Sequence, residues 1–223
     1  MRAFLRDNGL ALFFLGIFLA SLVGQSFAGL RVHNEEAAEH GGTPVSWLRY
    51  VSSSDFGQAV MENWQSEFLQ FAVFILATVW LVQRGSAESK APEEAGLESD
   101  QQERIGGYAG GASPAWARVR GWRTALYSHS LLLAMVLIFL GAWGAQSVTA
   151  WTIYKDDQRD HGAPPVSWGA YVLKADFWEK TLQNWQSEFL AVGTMAVFTV
   201  YLRERGSPES KPVGAPHDAT TSN

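Results

Sequence analysis

Four long apolar runs, separated by charged segments, limit what this chain can fold into more than any other feature of its sequence. The runs occupy residues 10–28, 68–82, 131–145 and 189–202. None carries the polar face at 3.6-residue spacing that marks a surface helix. A helix that is apolar on every side needs a large protein core or lipid around it, and 223 residues cannot bury four such helices in water. The sequence therefore predicts four transmembrane helices.

The composition excludes several functions. The mean hydropathy of -0.05 resembles that of a soluble protein, but this average hides the separation of apolar runs from charged segments. The net charge of -5, without a basic stripe, gives no reason to expect a nucleic-acid partner. There is no cysteine, which excludes disulfides, thiolate nucleophiles and thiolate metal sites. No enzyme or cofactor motif is present, so a membrane enzyme is an alternative without support, and no cofactor is expected.

The second half of the chain repeats the first. An offset of 121 residues aligns 25–90 with 146–211 without a gap, and 28 of those 66 positions are identical. The box Asn-Trp-Gln-Ser-Glu-Phe-Leu at 63–69 returns intact at 184–190. Each copy contains two apolar runs, so both copies must enter the membrane in the same direction. The predicted fold is an all-α, four-helix transmembrane bundle built from two parallel tandem repeats of a helical hairpin.

The repeat also predicts the domain boundaries. Helix starts are expected at Asp55 and Asp176, where a capping box can form. The polar, Gly-rich joining segment cannot bury enough apolar surface to become ordered. We expect hairpin 1–90 with spans at about 9–30 and 55–83, a cytoplasmic disordered linker at 91–122, hairpin 123–211 with spans at about 125–152 and 176–204, and a disordered tail at 212–223.

The distribution of charge predicts the orientation in the membrane. Segments 31–67 and 152–188 contain six of the 17 Lys and Arg residues and twelve of the 22 Asp and Glu residues. Cytoplasmic loops carry the excess of Lys and Arg in membrane proteins. We therefore expect a multi-pass protein of the cell inner membrane, with both termini and the linker in the cytoplasm and the lipid bilayer as its first partner.

Polar residues at matching depth predict a layer near the outer interface. Gln25 and Glu67 each lie about 24 Å of helix from the cytoplasmic ends of their spans. Carboxylates at membrane depth are expensive and often functional, but interfacial ones also serve in hydrogen bonds between helices. The candidate layer contains Gln25, Ser26, Asn63, Gln65, Ser66, Glu67, Gln146, Ser147, Asn184, Gln186, Ser187 and Glu188.

Four tryptophans are expected at the membrane–water boundary, where amphipathic rings are favoured. They are Trp47, Trp64, Trp168 and Trp185. The favoured function is that of a structural or accessory, non-enzymatic membrane protein that pairs with itself or with a larger membrane complex. The alternative is a small transporter or channel that uses the polar layer with Glu67 and Glu188.

Two further alternatives remain at the level of sequence. The first apolar run follows Arg2 and Arg6 and precedes Ser26-Phe27-Ala28, as in a signal peptide, but the matching third run lies well inside the chain. A metal site could form at His40 or His161 with neighbouring acids, although each loop has one histidine. These acids are Glu35, Glu36, Glu39, Asp156, Asp157 and Asp160. A solvated acidic loop is the favoured interpretation, and no metal is expected.

Several boxes are specific enough to compare with known families. They are RDNGLALFFLGIFLASLVGQSFAG at 6–29, PVSW at 44–47, SSDF at 53–56, ENWQSEFLQ at 62–70 and LATVWLVQRGSAESK at 76–90. The chain resembles an uncharacterised bacterial membrane-protein family that is classed as a domain of unknown function. This resemblance implies a small inner-membrane protein and brings no activity with it. The second copy departs from the pattern at Ala191, where the first has Gln70.

Overall fold

The computed structural model describes residues 2–220, and every regular element in that part of the chain is helical. This confirms the all-α class. Met1 and residues 221–223, which end the predicted tail, lie outside the described residues. Two short 3₁₀ turns, Pro92–Glu94 and Gly106–Tyr108, lie between the fourth and fifth α-helices. The α-helices are α1 Arg2–Asp7, α2 Gly9–Glu39, α3 Trp47–Val51, α4 Ser54–Trp80, α5 Trp122–Ser128, α6 Ser130–Asp160, α7 Trp168–Tyr171 and α8 Ala175–Tyr201.

The long helices begin and end at positions that differ by 121 residues. Helices α2 and α6 have 31 residues each, and α4 and α8 have 27 each. Helix α4 begins one residue before the predicted Asp55, and the Phe56 amide donates to the Ser53 hydroxyl at 3.4 Å. A glycine with left-handed backbone follows α2 and α6, with φ of +72° at Gly41 and +68° at Gly162.

Two of the four long helices are long and apolar enough to cross a bilayer. In α2 and α6 the most apolar 18-residue window has a mean hydropathy of 2.0, and only 6% and 17% of these windows are buried. Helices α4 and α8 contain no 18-residue window that is apolar enough to qualify as a membrane span. The reason is that their apolar parts, 68–80 and 189–201, are shorter than the ~20 residues of a span.

The described chain divides into two compact units. The first unit runs up to Met61 and adds Ala145–Tyr171. In it, α2, α3 and the start of α4 form one group, and the end of α6 with α7 forms another. The groups approach where a Cβ on Gly57 would lie 3.1 Å from Thr149 Cγ2.

The second unit contains Glu62–Gly144 and continues from Val172. It holds most of α4 and α8, the first half of α6, and the segments that follow α4 and α8. An aromatic cluster packs α6 against α8, with the Trp143 ring 6.0 Å from Phe177 and 6.2 Å from Trp185. This aromatic cluster therefore holds α6 and α8 together within the second unit.

Candidate functional site

Two tryptophan–serine hydrogen bonds connect residues that the sequence analysis assigned to different groups. In the first unit, Trp47 Nε1 donates to Ser26 Oγ at 2.9 Å, and Trp168 Nε1 donates to Ser147 Oγ at 3.1 Å. Both serines are buried. Each bond fixes a Pro-Val-Ser-Trp segment to the long helix before it, so the predicted boundary tryptophans also hold backbone segments in place.

Tyr50 lies in α3, just after the first of these segments, and is close to ionisable side chains. Its buried ring lies 5.5 Å from the His33 ring and 5.6 Å from the Phe56 ring. His33 Nδ1 is 3.7 Å from an Asp55 carboxylate oxygen. Burial raises the pKa of the Tyr50 hydroxyl, and the carboxylates of Asp55 and Glu36 raise it further. The phenol therefore stays protonated at neutral pH.

Gln65 and Ser66 are buried in the second unit and use their side chains in helix contacts. Gln65 Oε1 accepts a hydrogen bond from Trp185 Nε1 at 2.7 Å, and Gln65 Nε2 donates to the Glu62 carbonyl at 3.1 Å. The Ser66 hydroxyl donates to the Asn63 carbonyl at 2.9 Å, and the Glu188 carboxyl lies near Ser66 and Glu67. The middle of α4 is therefore bound to α8 through polar side chains.

The repeated residues of the polar layer do not share one environment. Gln65 and Ser66 are buried, whereas Gln186 and Ser187, their equivalents in α8, are exposed. Gln146 is fully buried, and both of its amide atoms lack a hydrogen-bond partner among the described residues. The layer is divided between the units. Gln25, Ser26, Gln146 and Ser147 belong to the first unit, and Asn63, Trp64, Gln65, Ser66, Glu67, Asn184, Trp185, Gln186, Ser187 and Glu188 belong to the second.

After α4 and α8 the chain forms two similar hooks, at residues 83–90 and 204–211. In the first hook the backbone N–H of Gln83 donates to Ser89 Oγ at 2.9 Å, and the backbone N–H of Glu88 donates to Ser86 Oγ at 3.1 Å. The second hook has the same two bonds. The backbone N–H of Glu204 donates to Ser210 Oγ at 2.9 Å, and the backbone N–H of Glu209 donates to Ser207 Oγ at 3.2 Å.

The first hook is bound to α8 inside the second unit. Ser86 is fully buried, and its hydroxyl lies 2.9 Å from the Thr199 hydroxyl. The Ala87 amide donates to the same Thr199 oxygen at 3.3 Å. This contact places the Glu88 side chain near the Glu209 side chain.

The two carboxyl groups lie at one wall of a cavity of about 280 Å³. Gln70 also lines this cavity, but its Oε1 atom is buried and has no hydrogen-bond partner among the described residues. The remaining wall is apolar. The lining residues are Gln70, Phe71, Phe74, Glu88, Ala191, Val192, Met195 and Glu209.

The model of the family Domain of unknown function (DUF6766) matches residues 1–222 of this chain. The chain belongs to the DUF6766 family. No curated protein and no solved structure matches it. What this DUF6766 chain does must therefore be argued from its own residues.

A lysine ends each hook of the DUF6766 chain and binds carbonyl groups. Lys211 is buried, and its ammonium donates to the carbonyls of Pro216 at 3.1 Å, His217 at 2.9 Å and Ala219 at 3.0 Å. Lys90 donates to the Gly96 carbonyl at 2.9 Å and is paired with Glu98. Hydrogen bonding to Lys90 lowers the pKa of the Glu98 carboxyl. The lysines hold the segments that follow the hooks.

The histidines of the acidic loops contact backbone carbonyls, and His161 Nδ1 also lies 3.4 Å from an Asp157 carboxylate oxygen. The Nδ1 atoms of His40 and His161 lie 2.8 Å from the carbonyls of Glu36 and Asp157. Within residues 2–220, no group of three or more His, Asp or Glu side chains is placed to share a metal ion. The structure therefore offers no ligand set for the metal alternative.

The hooks are absent from the candidate residues that the sequence predicts. Their boxes Arg84-Gly85-Ser86 and Glu88-Ser89-Lys90 recur at 205–207 and 209–211, and the chain beyond each hook is expected from its composition to be disordered. The available signal was a polar box that returns at the same offset outside any apolar run. Such a box has no apolar face to pack, so hydrogen bonding within the fold is the simplest reason for it to recur.

Proposed function

We propose that this protein is an integral inner-membrane protein with four spans, formed by two parallel copies of one helical hairpin, and that its role is structural or accessory. The observation that carries the proposal is the exposure of α2 and α6, whose apolar windows have a mean hydropathy of 2.0 and are almost entirely unburied. Exposed apolar surface of this extent needs lipid around it. A helix of 31 residues is about 46 Å long, so each would also extend beyond the hydrocarbon layer.

Two features favour four spans over two. Helices α4 and α8 have the same bounds at the 121-residue offset, and each has an apolar half that the chain extends at its end with Leu81 or Leu202. Their polar halves contain Gln65, which accepts a hydrogen bond from Trp185 of α8, and Glu188, which lies near Ser66 of α4. Polar residues of a span are stable at the interface or when they bond another helix.

The structural role is supported by how the buried polar groups are used. Trp47 with Ser26, and Gln65 with Trp185, form hydrogen bonds between segments. Such bonds set the register of packed helices. A protein whose buried polar groups serve packing fits an accessory role, alone as a homo-oligomer or within a larger membrane complex. Native mass spectrometry after gentle extraction checks this, because a monomer without any partner would contradict it.

The position of Ser99 distinguishes four spans from two. The chain has no cysteine, so Glu36→Cys and Ser99→Cys each introduce a single thiol. With four spans and cytoplasmic termini, an impermeant maleimide applied to intact cells labels Glu36→Cys and not Ser99→Cys. With spans only at α2 and α6, both positions lie outside and both are labelled. Labelling of Ser99→Cys after the cells are opened is the control for reactivity.

A transporter is the second candidate, favoured by one contact. In the second unit the Glu188 carboxyl lies close enough to Glu67 for their charges to interact, and Ser66 lies near the same carboxyl. Carboxylates placed together near membrane depth can bind cations or protons. A liposome flux assay comparing the wild type with Glu67→Gln/Glu188→Gln tests this function. Identical flux in both, or none in either, rejects it.

A further inference from the structure

The segment that leads into α6 is basic, although the whole chain has a net charge of -5. It contains three exposed arginines, Arg118, Arg120 and Arg123. No Asp or Glu occurs in the sequence between Glu103 and Asp156. Within residues 2–220, none of the three guanidinium groups forms an ion pair with a carboxylate. Exposed positive charge without a counter-charge of its own favours an anionic partner.

Two tryptophans lie beside these arginines. The rings of Trp116 and Trp122 meet edge to face, with their centroids 6.0 Å apart, and the Arg123 guanidinium lies 5.6 Å from the Trp122 ring. Both rings are exposed, Trp116 to 40% and Trp122 to 68%. Tryptophan favours the boundary between lipid and water, where one side of its ring is apolar and its N–H is hydrated. We call Trp116, Arg118, Arg120, Trp122 and Arg123 together the basic patch.

Hydrogen bonds of the second unit fix the shape of the basic patch. Thr124 is buried, and its hydroxyl donates to the Trp116 carbonyl at 2.9 Å, which folds the chain before α5 back onto that helix. The backbone N–H of Gly106 donates to the Ala117 carbonyl at 2.8 Å. A Cβ on Gly106 would lie 3.2 Å from Arg120 Nε, so this arginine lies directly against the Gly106 backbone. The fold therefore sets where the charges are presented.

The basic patch lies close in sequence to the apolar part of α6. Helix α5 ends at Ser128, α6 begins at Ser130, and the exposed Leu131 starts the apolar run. Arg123 precedes Leu131 by eight residues, which is about 12 Å at the rise of a helix. If α6 spans the membrane from the cytoplasm, as proposed above, the patch lies at the level of the cytoplasmic lipid headgroups. Anionic lipids of that leaflet attract basic segments beside a span.

We propose that the basic patch is a binding surface for the headgroups of anionic phospholipids in the cytoplasmic leaflet. Guanidinium groups donate hydrogen bonds to phosphate oxygens in pairs, and the two tryptophan rings pack beside the upper part of the acyl chains. A zwitterionic headgroup also has a phosphate, but its own ammonium group cancels the charge and weakens the attraction. This inference rests on the proposed membrane span of α6 and adds to it the class of lipid that the protein selects.

Lipid binding by the full chain measures this selectivity. The purified protein is mixed with equal amounts of phosphatidylglycerol and phosphatidylcholine with the same acyl chains, and bound lipids are counted by native mass spectrometry. We expect the wild type to retain mainly phosphatidylglycerol. Arg118→Gln/Arg120→Gln/Arg123→Gln should reduce its affinity for that lipid by about tenfold or more, because each arginine near an anionic surface adds to the attraction. Retention of phosphatidylcholine should not change.

The matched control removes the same charge from the segments that the sequence predicts to face outward. It is Arg31→Gln/Arg49→Gln/Arg159→Gln, in which all three replaced side chains are exposed. Arg31 and Arg159 are already paired with carboxylates, at 3.5 Å and 2.9 Å. This control should retain phosphatidylglycerol like the wild type. Equal losses in the two triple variants, or a wild type without preference between the lipids, overturn the proposal.

Two single spin labels separate failure of this surface from failure of the membrane span. The chain has no native cysteine, so Ala125→Cys in α5 and Leu137→Cys in α6 each accept one label at an exposed position. In phosphatidylglycerol nanodiscs, accessibility to oxygen and to a water-soluble nickel complex gives the depth of each label. We expect position 137 in the hydrocarbon and position 125 at headgroup depth. Position 137 in lipid with position 125 in water rejects the binding surface alone, whereas position 137 in water rejects the span itself.

Discussion

At the scale of residues, Gln65 and Gln146 show how differently one residue type behaves when buried. Both side chains have 0% exposed surface. Gln65 accepts a hydrogen bond from Trp185 and donates one to Glu62, whereas both amide atoms of Gln146 lack a partner among the described residues. A buried amide with partners stabilises the fold, and a buried amide without them costs free energy.

This difference predicts opposite effects of the same substitution. Gln65→Met leaves the Trp185 indole N–H without an acceptor, and should lower the free energy of unfolding by about 1–3 kcal/mol. Gln146→Met removes an unpaired amide while keeping the side chain's volume, and should leave that free energy unchanged or higher. Reversible unfolding in mixed micelles measures both. Equal destabilisation by the two substitutions would contradict the assignment.

At the scale of elements, α3 is packed so closely on α2 that the contact needs a glycine. A Cβ on Gly29 would overlap the Tyr50 hydroxyl. The equivalent position in α6 is Ala150, which is buried, and the equivalent tyrosine, Tyr171, lies with its ring 5.1 Å from Tyr154. The two copies therefore seat the same tyrosine against helices of different shape.

Gly29→Ala should weaken the packing of α3 on α2. Overpacking of this kind costs about 1–3 kcal/mol, so the free energy of unfolding should fall by that amount. Gly24→Ala is the matched control, because no atom lies within 4 Å of its added Cβ and alanine favours helix by roughly 0.5–1 kcal/mol. Thermal unfolding of the two variants should move in opposite directions. A shift of the same sign in both would show that Tyr50 does not limit the space.

The sequence placed the elements well because the features that form helices are local. Apolar runs mark the centres of the long helices, and Asp55 falls in the first turn of α4. The extension of α2 to Glu39 was not expected, because its last turns are charged and lie beyond the apolar run. Helix propensity of Ala and Glu continues such a helix after apolarity has ended.

At the scale of the whole molecule, contacts in the second unit join the first half of the chain to the second half. Three contacts each pair one residue of the first half with one residue of the second half. They are Gln65 with Trp185, Ser86 with Thr199, and Glu88 with Glu209. None of these contacts requires the chain between the copies. The linker should therefore be dispensable for assembly.

A chain divided between Gly110 and Gly111 should reassemble when its two parts are expressed together. A tag on the first part should recover the second after detergent extraction, and Gln65→Ala/Ser86→Ala should reduce that recovery several-fold. Gln186→Ala/Ser187→Ala is the matched control, since those equivalent side chains are exposed. Equal recovery with both double variants would indicate that other contacts hold the copies together.

The sequence by itself determined the all-α class, the positions of the long apolar helices and the family, because these depend on residue type and spacing along the chain. Tertiary structure alone decided which polar residues meet. In the identical segments 63–69 and 184–190, Gln65 is buried and Gln186 is exposed. Glu88 lies near Glu209, which is 121 residues further along the chain. Hydrogen bonds and burial between distant segments depend on how helices pack, and no local pattern records that.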